Sequence, residues 1–162
     1  MRYLEARDLI KDGDLIAVKG TGLISDITKF VTDSIYSHTG IAIWLDGGLW
    51  LSQMTSGGNN LIPLSQESCF DVFECPVNPA SVRTYVLEKL RTRINYSFLD
   101  LIVAGLTSIT KFKIPTTNTG LICSAASTKT YLANGWDIIT PPVPTPGWVA
   151  SRLKMKLSIT NN

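Results

Sequence analysis

A chain of 162 residues with 44% hydrophobic, 9% aromatic and 17% charged side chains is long enough to fill one domain and too apolar to be a disordered segment. Its 15 basic and 13 acidic residues, a formal charge of +2, are mixed along the sequence and form no Lys/Arg stripe, which argues against nucleic acid as a partner. The most apolar stretch, Phe98 to Ile109, falls short of the roughly 20 residues that a membrane-spanning helix needs, so no transmembrane segment is expected.

The opening Met1-Arg2-Tyr3-Leu4-Glu5-Ala6-Arg7-Asp8 lacks the unbroken apolar run of a secretory signal, and a cytoplasmic protein, bacterial or phage-borne, is expected. Leu4, Ala6 and Ile10 mark a short helix over 3–10, and Lys11-Asp12-Gly13-Asp14 turns the chain into a strand from Leu15 to Val18. Leu23, Ile24, Ile27, Phe30 and Val31 have helical spacing, which predicts an amphipathic helix over 23–32. His38 to Leu45 and Leu49 to Met54 read as a hairpin around Asp46-Gly47-Gly48. A brief strand at Leu61-Ile62 and another from Phe70 to Cys75 leave the expected sheet mostly complete.

Pro79 to Thr92 reads as a helix with proline in its first turn, and a second helix is expected over 98–109. The breaker-rich run from Thr110 to Gly120 reads as a loop. Leu121 to Asn134 is predicted as a helix closed by Gly135, with Cys123 in its first turn. Pro141, Pro142, Pro144 and Pro146 predict an extended surface tail. The basic clusters at Arg83 to Arg93 and Arg152 to Lys156 read as a solvated helix face and a frayed end. With no repeat and no linker, residues 1–162 form a single domain.

Cys69, Cys75 and Cys123 lack the paired spacing of a zinc site or disulfide framework, and a zinc site would have to join all three thiols to the sole histidine from unrelated contexts, so free thiols and no metal or cofactor are expected. Cys69 and Cys75 fit packing positions on and beside a strand. Cys123 is different, because a helix N-terminus beside an imidazole is the setting that turns a thiol into a thiolate nucleophile. The N–H groups of such a first turn are also suited to hold an oxyanion. His38 is the sole histidine, so it is the only imidazole base available to that thiol.

The stretch Gly13-Asp14-Leu15-Ile16, followed by a helix and then Tyr36-Ser37-His38-Thr39-Gly40-Ile41-Ala42-Ile43, resembles the opening of the circularly permuted NlpC-type papain-like superfamily. Tyr96-Ser97-Phe98-Leu99 and Ile122-Cys123-Ser124-Ala125-Ala126 resemble its second half, and the likeness runs from about residue 13 to Thr140-Pro141. It implies an α+β fold, a small antiparallel sheet packed on helices that include the cysteine helix. It also implies His38 as base, Cys123 as nucleophile and a polar residue on the next strand that orients the imidazole. Gln53 aligns with that third position, often Glu in relatives; a neutral amide fixes the tautomer but cannot stabilise imidazolium as a carboxylate does.

The expectation is a cysteine hydrolase cleaving an amide bond, its substrate a peptide or cell-wall fragment. Two other readings stay open. One is a lipid acyltransferase or thioesterase with an acyl substrate, as in the branch that resembles lecithin retinol acyltransferase, with 98–109 as an apolar wall. The other is a non-catalytic binding or virion module that keeps the fold.

Overall fold

A computed structural model describes residues 1–21, 25–26, 29–30, 33–55, 58–91 and 119–160. The helix expected over 98–109 and the loop over 110–118 lie outside the described residues, as does most of the helix expected over 23–32; Ser25, Asp26, Lys29 and Phe30, which are described, are helical.

The strands are β1 (Leu15–Val18), β2 (His38–Leu45), β3 (Gly48–Thr55), β4 (Gly58–Pro63), β5 (Cys69–Phe73) and β6 (Met155–Thr160). Among the described residues, the α-helices whose bounds are fixed are α1 (Tyr3–Ala6), α2 (Pro79–Arg91), α3 (Thr119–Ala133) and α4 (Pro146–Ser151). One six-stranded sheet runs β4-β3-β2-β1-β5-β6 with every described pairing antiparallel, and the architecture is α+β. Leu15-Ile16-Ala17-Val18 has no polar position because β1 lies between β2 and β5 and is covered on both faces.

Alternation divides the core in two. Leu15, Ala17, Ile41 and Ile43 pack with Val82, Val86, Tyr131 and Val149 of the helices. Ile16, Val18, Ala42, Leu49, Leu51 and Phe70 pack on the other face with Tyr3, Ala6, Ile10 and Leu64. The β2–β3 hairpin turns at Asp46 and Gly47, whose φ values of 48° and 74° are the left-handed pair that an Asp-Gly turn accommodates. Leu45 then pairs with Gly48 and Ile41 with Ser52, so that His38 and Gln53 fall on the same face near the open end of the hairpin.

Four expectations are corrected. The first helix is only one turn, with Arg7–Leu9 tightening into a 3₁₀ turn. Strand β5 begins at Cys69 and ends at Phe73, before Cys75. The tail is not an extended surface run: Pro146 opens α4, where a missing N–H costs nothing, Thr145 caps it by accepting the Trp148 N–H at 3.2 Å, and β6 then joins the sheet beside β5. Nor is the 152–156 cluster frayed, because the Lys156 ammonium lies 2.7 Å from the carboxylate of buried Asp14.

A second buried carboxylate ties β6 to the region before His38. Asp71 of β5 accepts hydrogen bonds from Lys19 at 2.7 Å, Ser158 at 2.6 Å and the Tyr36 hydroxyl at 2.6 Å. Burial disfavours its charge, but these three donors outweigh that cost and hold its pKa below the usual carboxylate range. The network fixes Tyr36 two residues before His38. Among the described residues no helix is long and apolar enough to cross a membrane.

Candidate active site

His38 is the first residue of β2 and pairs with Val18, which pairs in turn with Phe70. Helix α3 lies across β2 and β3. It begins at Thr119, two residues before the sequence suggests, because Gly120, a breaker by composition, costs a helix only about 1 kcal/mol relative to Ala. Cys123 is therefore its fifth residue, two residues further in than expected, and in a regular helix its own N–H belongs to the i−4 ladder. The dipole effect fades within the first turn. Activation of the thiol falls mainly to the imidazole.

The structure brings His38 and Cys123 into hydrogen-bond contact. Cys123 has no exposed surface. Burial pushes its thiol pKa up, but the His38 charge, the His38 hydrogen bond and the Thr39 backbone N–H, which donates to the sulfur at 3.3 Å, outweigh burial and leave it lowered. Burial pushes the His38 imidazole down, and the Cys123 charge and hydrogen bond, then Gln53, then the charge of Glu67, raise it above its ordinary value. The two shifts describe one pair in which thiolate and imidazolium stabilise each other. Thr39 also anchors α3 through a 3.3 Å contact between its hydroxyl and that of Ser127.

Gln53 approaches the imidazole closely enough to raise its proton affinity, yet no hydrogen bond closes on Nε2, which is buried and without a hydrogen-bond partner among the described residues. The nitrogen hydrogen-bonded to sulfur is then Nδ1. Glu67 is the residue that sequence reasoning missed. It follows the 3₁₀ turn Leu64–Gln66 and lies three residues before Phe70, in the strand row of Val18 and His38. Burial raises its carboxyl pKa, and the His38 charge works against that rise. No sequence pattern marks it, because turn and row are set by tertiary packing.

A cleft of about 150 Å³ ends at Cys123. Ala126, Ser127 and Thr130, at i+3, i+4 and i+7 from Cys123, form one wall. Ile41, Ser52, Gln53 and Met54 form the floor, and Tyr85, Val86 and Lys89 of α2 the opposite wall. The other two thiols are placed differently. The Cys75 thiol donates to the Val77 carbonyl at 3.3 Å and is pushed up by burial, while Cys69 opens β5, paired with Thr160 of the edge strand β6.

No protein-family model and no curated protein matches this sequence. The fold is similar to the crystal structure of metalloprotein yiiX from Escherichia coli O157:H7, DUF1105, with a TM-score of 0.56 and 14% identity over 94% of this chain and 89% of that one. At that identity the likeness bears on the fold alone.

Proposed function

We propose that this chain is a permuted papain-like cysteine hydrolase that cleaves an amide bond, with Cys123 as nucleophile and His38 as acid and base. The observation that carries the reading is the coupled pair: a buried thiol shifted toward thiolate by the one imidazole in the chain. The thiolate attacks the carbonyl carbon and the C=O electron pair moves onto oxygen; as that pair returns, the C–N bond breaks and the amine leaves with the His38 proton. Neutral His38 then takes a proton from water as its oxygen attacks the acyl carbon, the C–S bond breaks, and acid and thiolate are released. Gln53, which lines the cleft and raises the proton affinity of the imidazole, orients the ring in this reading.

The structural neighbour is described as a metalloprotein. Among the described residues of this chain no three His, Cys, Asp or Glu side chains converge on a point where a metal would sit, and no step is assigned to one. The apolar surface of Ile41, Met54, Val86 and Ala126 in the cleft favours an acyl-chain substrate as a second reading, with the same pair acting on an ester or thioester. The 98–109 wall expected for that reading lies outside the described residues.

Labelling with an electrophilic probe at pH 6 to 7, followed by mapping of the modified cysteine, tests both enzyme readings against the non-catalytic one. Fast, selective modification of Cys123 is expected. Equal rates at Cys69, Cys75 and Cys123 in the folded protein would remove the proposal.

A further inference from the structure

The Cys123 sulfur is held by a second residue besides His38. The β2–β3 pairing runs out at Ile41 and Ser52, two residues short of Thr39, and the Thr39 N–H donates to the sulfur at 3.3 Å. Thr39 lies on the same side of β2 as Ile41 and Ile43, which pack toward the helices, so its side chain meets α3. There its hydroxyl stands 3.3 Å from that of Ser127, one turn beyond Cys123, and also hydrogen-bonds the sulfur. Thr39 and Cys123 have no exposed surface, and Ser127 is buried beside them. A hydroxyl has a single proton to donate. With the Thr39 proton on sulfur, Ser127 is the donor in the contact between the two hydroxyls.

We infer that Thr39 is a further catalytic residue, giving both its N–H and its hydroxyl to the Cys123 thiolate, and that Ser127 is a positioning residue, whose hydroxyl donates to the Thr39 oxygen and keeps that proton turned to sulfur. The inference rests on the reading of Cys123 as nucleophile and adds how its charge is held in a buried site. As the S–C bond forms, the charge passes to the carbonyl oxygen and the Thr39 donors face a neutral sulfur. When that bond breaks in deacylation, the electron pair returns to sulfur and the same donors stabilise the departing thiolate; no proton leaves Thr39. Because the hydroxyl carries no charge, it acts on the thiolate and leaves the imidazolium alone. A hydrogen bond to a charged group is worth about one pKa unit, and the bond behind it strengthens it by about 10–30%, which is about 2-fold at most for Ser127.

The test uses the full chain and iodoacetamide modification of Cys123 from pH 5 to 9, followed by peptide mass spectrometry. In Thr39→Val, which keeps the β-branch and the backbone N–H, the acid limb should move up by about one pH unit while the alkaline limb set by His38 stays in place. The higher intrinsic nucleophilicity of the less acidic thiol returns part of the loss, so the rate below the limb should fall about 3- to 10-fold. Thr39→Ser restores the hydroxyl and should bring the limb back toward wild type. Ser127→Ala should move it the same way by a smaller step, about 1.5- to 2-fold in rate, and should add nothing in Thr39→Val/Ser127→Ala, because it acts through a hydroxyl already removed. Among the described residues the titratable groups around the pair are His38 on β2, Glu67 before β5, Tyr85 and Lys89 on α2 and Lys129 on α3; β3 and α4, which also pack on α3, bring none, and all are the same in every variant. An unmoved acid limb in folded Thr39→Val, with fast modification of Cys123 in the wild type, overturns the inference and leaves the nucleophile standing. Movement of both limbs that Thr39→Ser does not recover marks lost packing and overturns it too. Where circular dichroism shows Thr39→Val unfolded, Ser127→Ala decides by the same criterion. Slow modification of wild-type Cys123, no faster than at Cys69 and Cys75, overturns both the inference and the nucleophile reading.

Discussion

His38→Asn tests the coupling on which the proposed chemistry depends. It removes the charge and the hydrogen bond that do most to offset burial at Cys123 and leaves only the weaker support of the Thr39 N–H and side chain, so the thiol pKa should rise above its ordinary value. An ordinary thiol, with a pKa near 8.5, is about 1% thiolate at pH 6.5, and a buried one less, so the thiolate population of the variant at that pH falls to about 1% or below. A thiolate of lower pKa is intrinsically less nucleophilic, which returns part of that difference, and a net loss of about 10- to 100-fold in alkylation rate is expected. The assay is iodoacetamide modification of the Cys123 peptide from pH 5 to 9, with circular dichroism to establish that the variant is folded. Wild type should show a plateau bounded below by the lowered thiol pKa and above by the raised imidazole pKa, whereas the variant rate should climb tenfold per pH unit up to its raised thiol pKa. The linkage to stability has a matching sign. The lowered thiol contributes stability above about pH 8.5 that is lost as pH falls through its folded pKa, and the raised imidazole contributes below about pH 6.5 and loses it as pH rises through its own. A folded Asn variant that keeps both the wild-type rate at pH 6.5 and the plateau would refute the coupling.

Glu67→Gln removes a negative charge that raises the His38 pKa, so the alkaline end of that plateau should retreat to lower pH with little change in melting temperature; an unmoved limb would show that Glu67 does not act on the site. Gln53→Ala should lower turnover by about one to two orders of magnitude through loss of orientation, and Gln53→Glu should keep or raise the alkylation rate of Cys123. Unchanged turnover in the Ala variant would remove Gln53 from the site. Gly40→Ala places a methyl 2.5 Å from a Leu51 methyl and 2.6 Å from the Ser52 carbonyl, and thermal or urea unfolding should show a loss of about 1–3 kcal/mol; wild-type stability would show that β3 yields at this point.

What the sequence disclosed were the elements with local signatures. His38–Leu45 is an apolar run with a polar first residue, its hairpin partner is announced by Asp46-Gly47, and α2 starts at Pro79, all close to the expected bounds. The tail is not legible from its prolines, because Pro146 at a first helical position promotes a helix rather than barring one, and the pairing of β6 with β5 joins segments more than 80 residues apart. Of the site, Cys123 and His38 were legible through residue type and order. Glu67 was not, since a lone carboxylate after a turn looks like any surface charge until the row Phe70, Val18, His38 places it.

The division of charge around His38 suits a two-step reaction better than a carboxylate at position 53 would. In the resting pair the Cys123 charge is the foremost influence raising the imidazole pKa, followed by its hydrogen bond, the neutral Gln53 and the charge of Glu67. In the proposed reaction that thiolate becomes a neutral thioester on acylation, just as His38 gives its proton to the leaving amine. The main support for imidazolium disappears at the moment when a neutral imidazole is needed to activate water, and burial, which opposes the charged ring, is then offset only by Gln53 and Glu67. A carboxylate in direct contact with the ring would hold the proton through this stage and delay deacylation. An amide there fixes orientation without that penalty, while a carboxylate held off on the Glu67 turn supplies a weaker field, enough to restore the imidazolium once the thiolate is released.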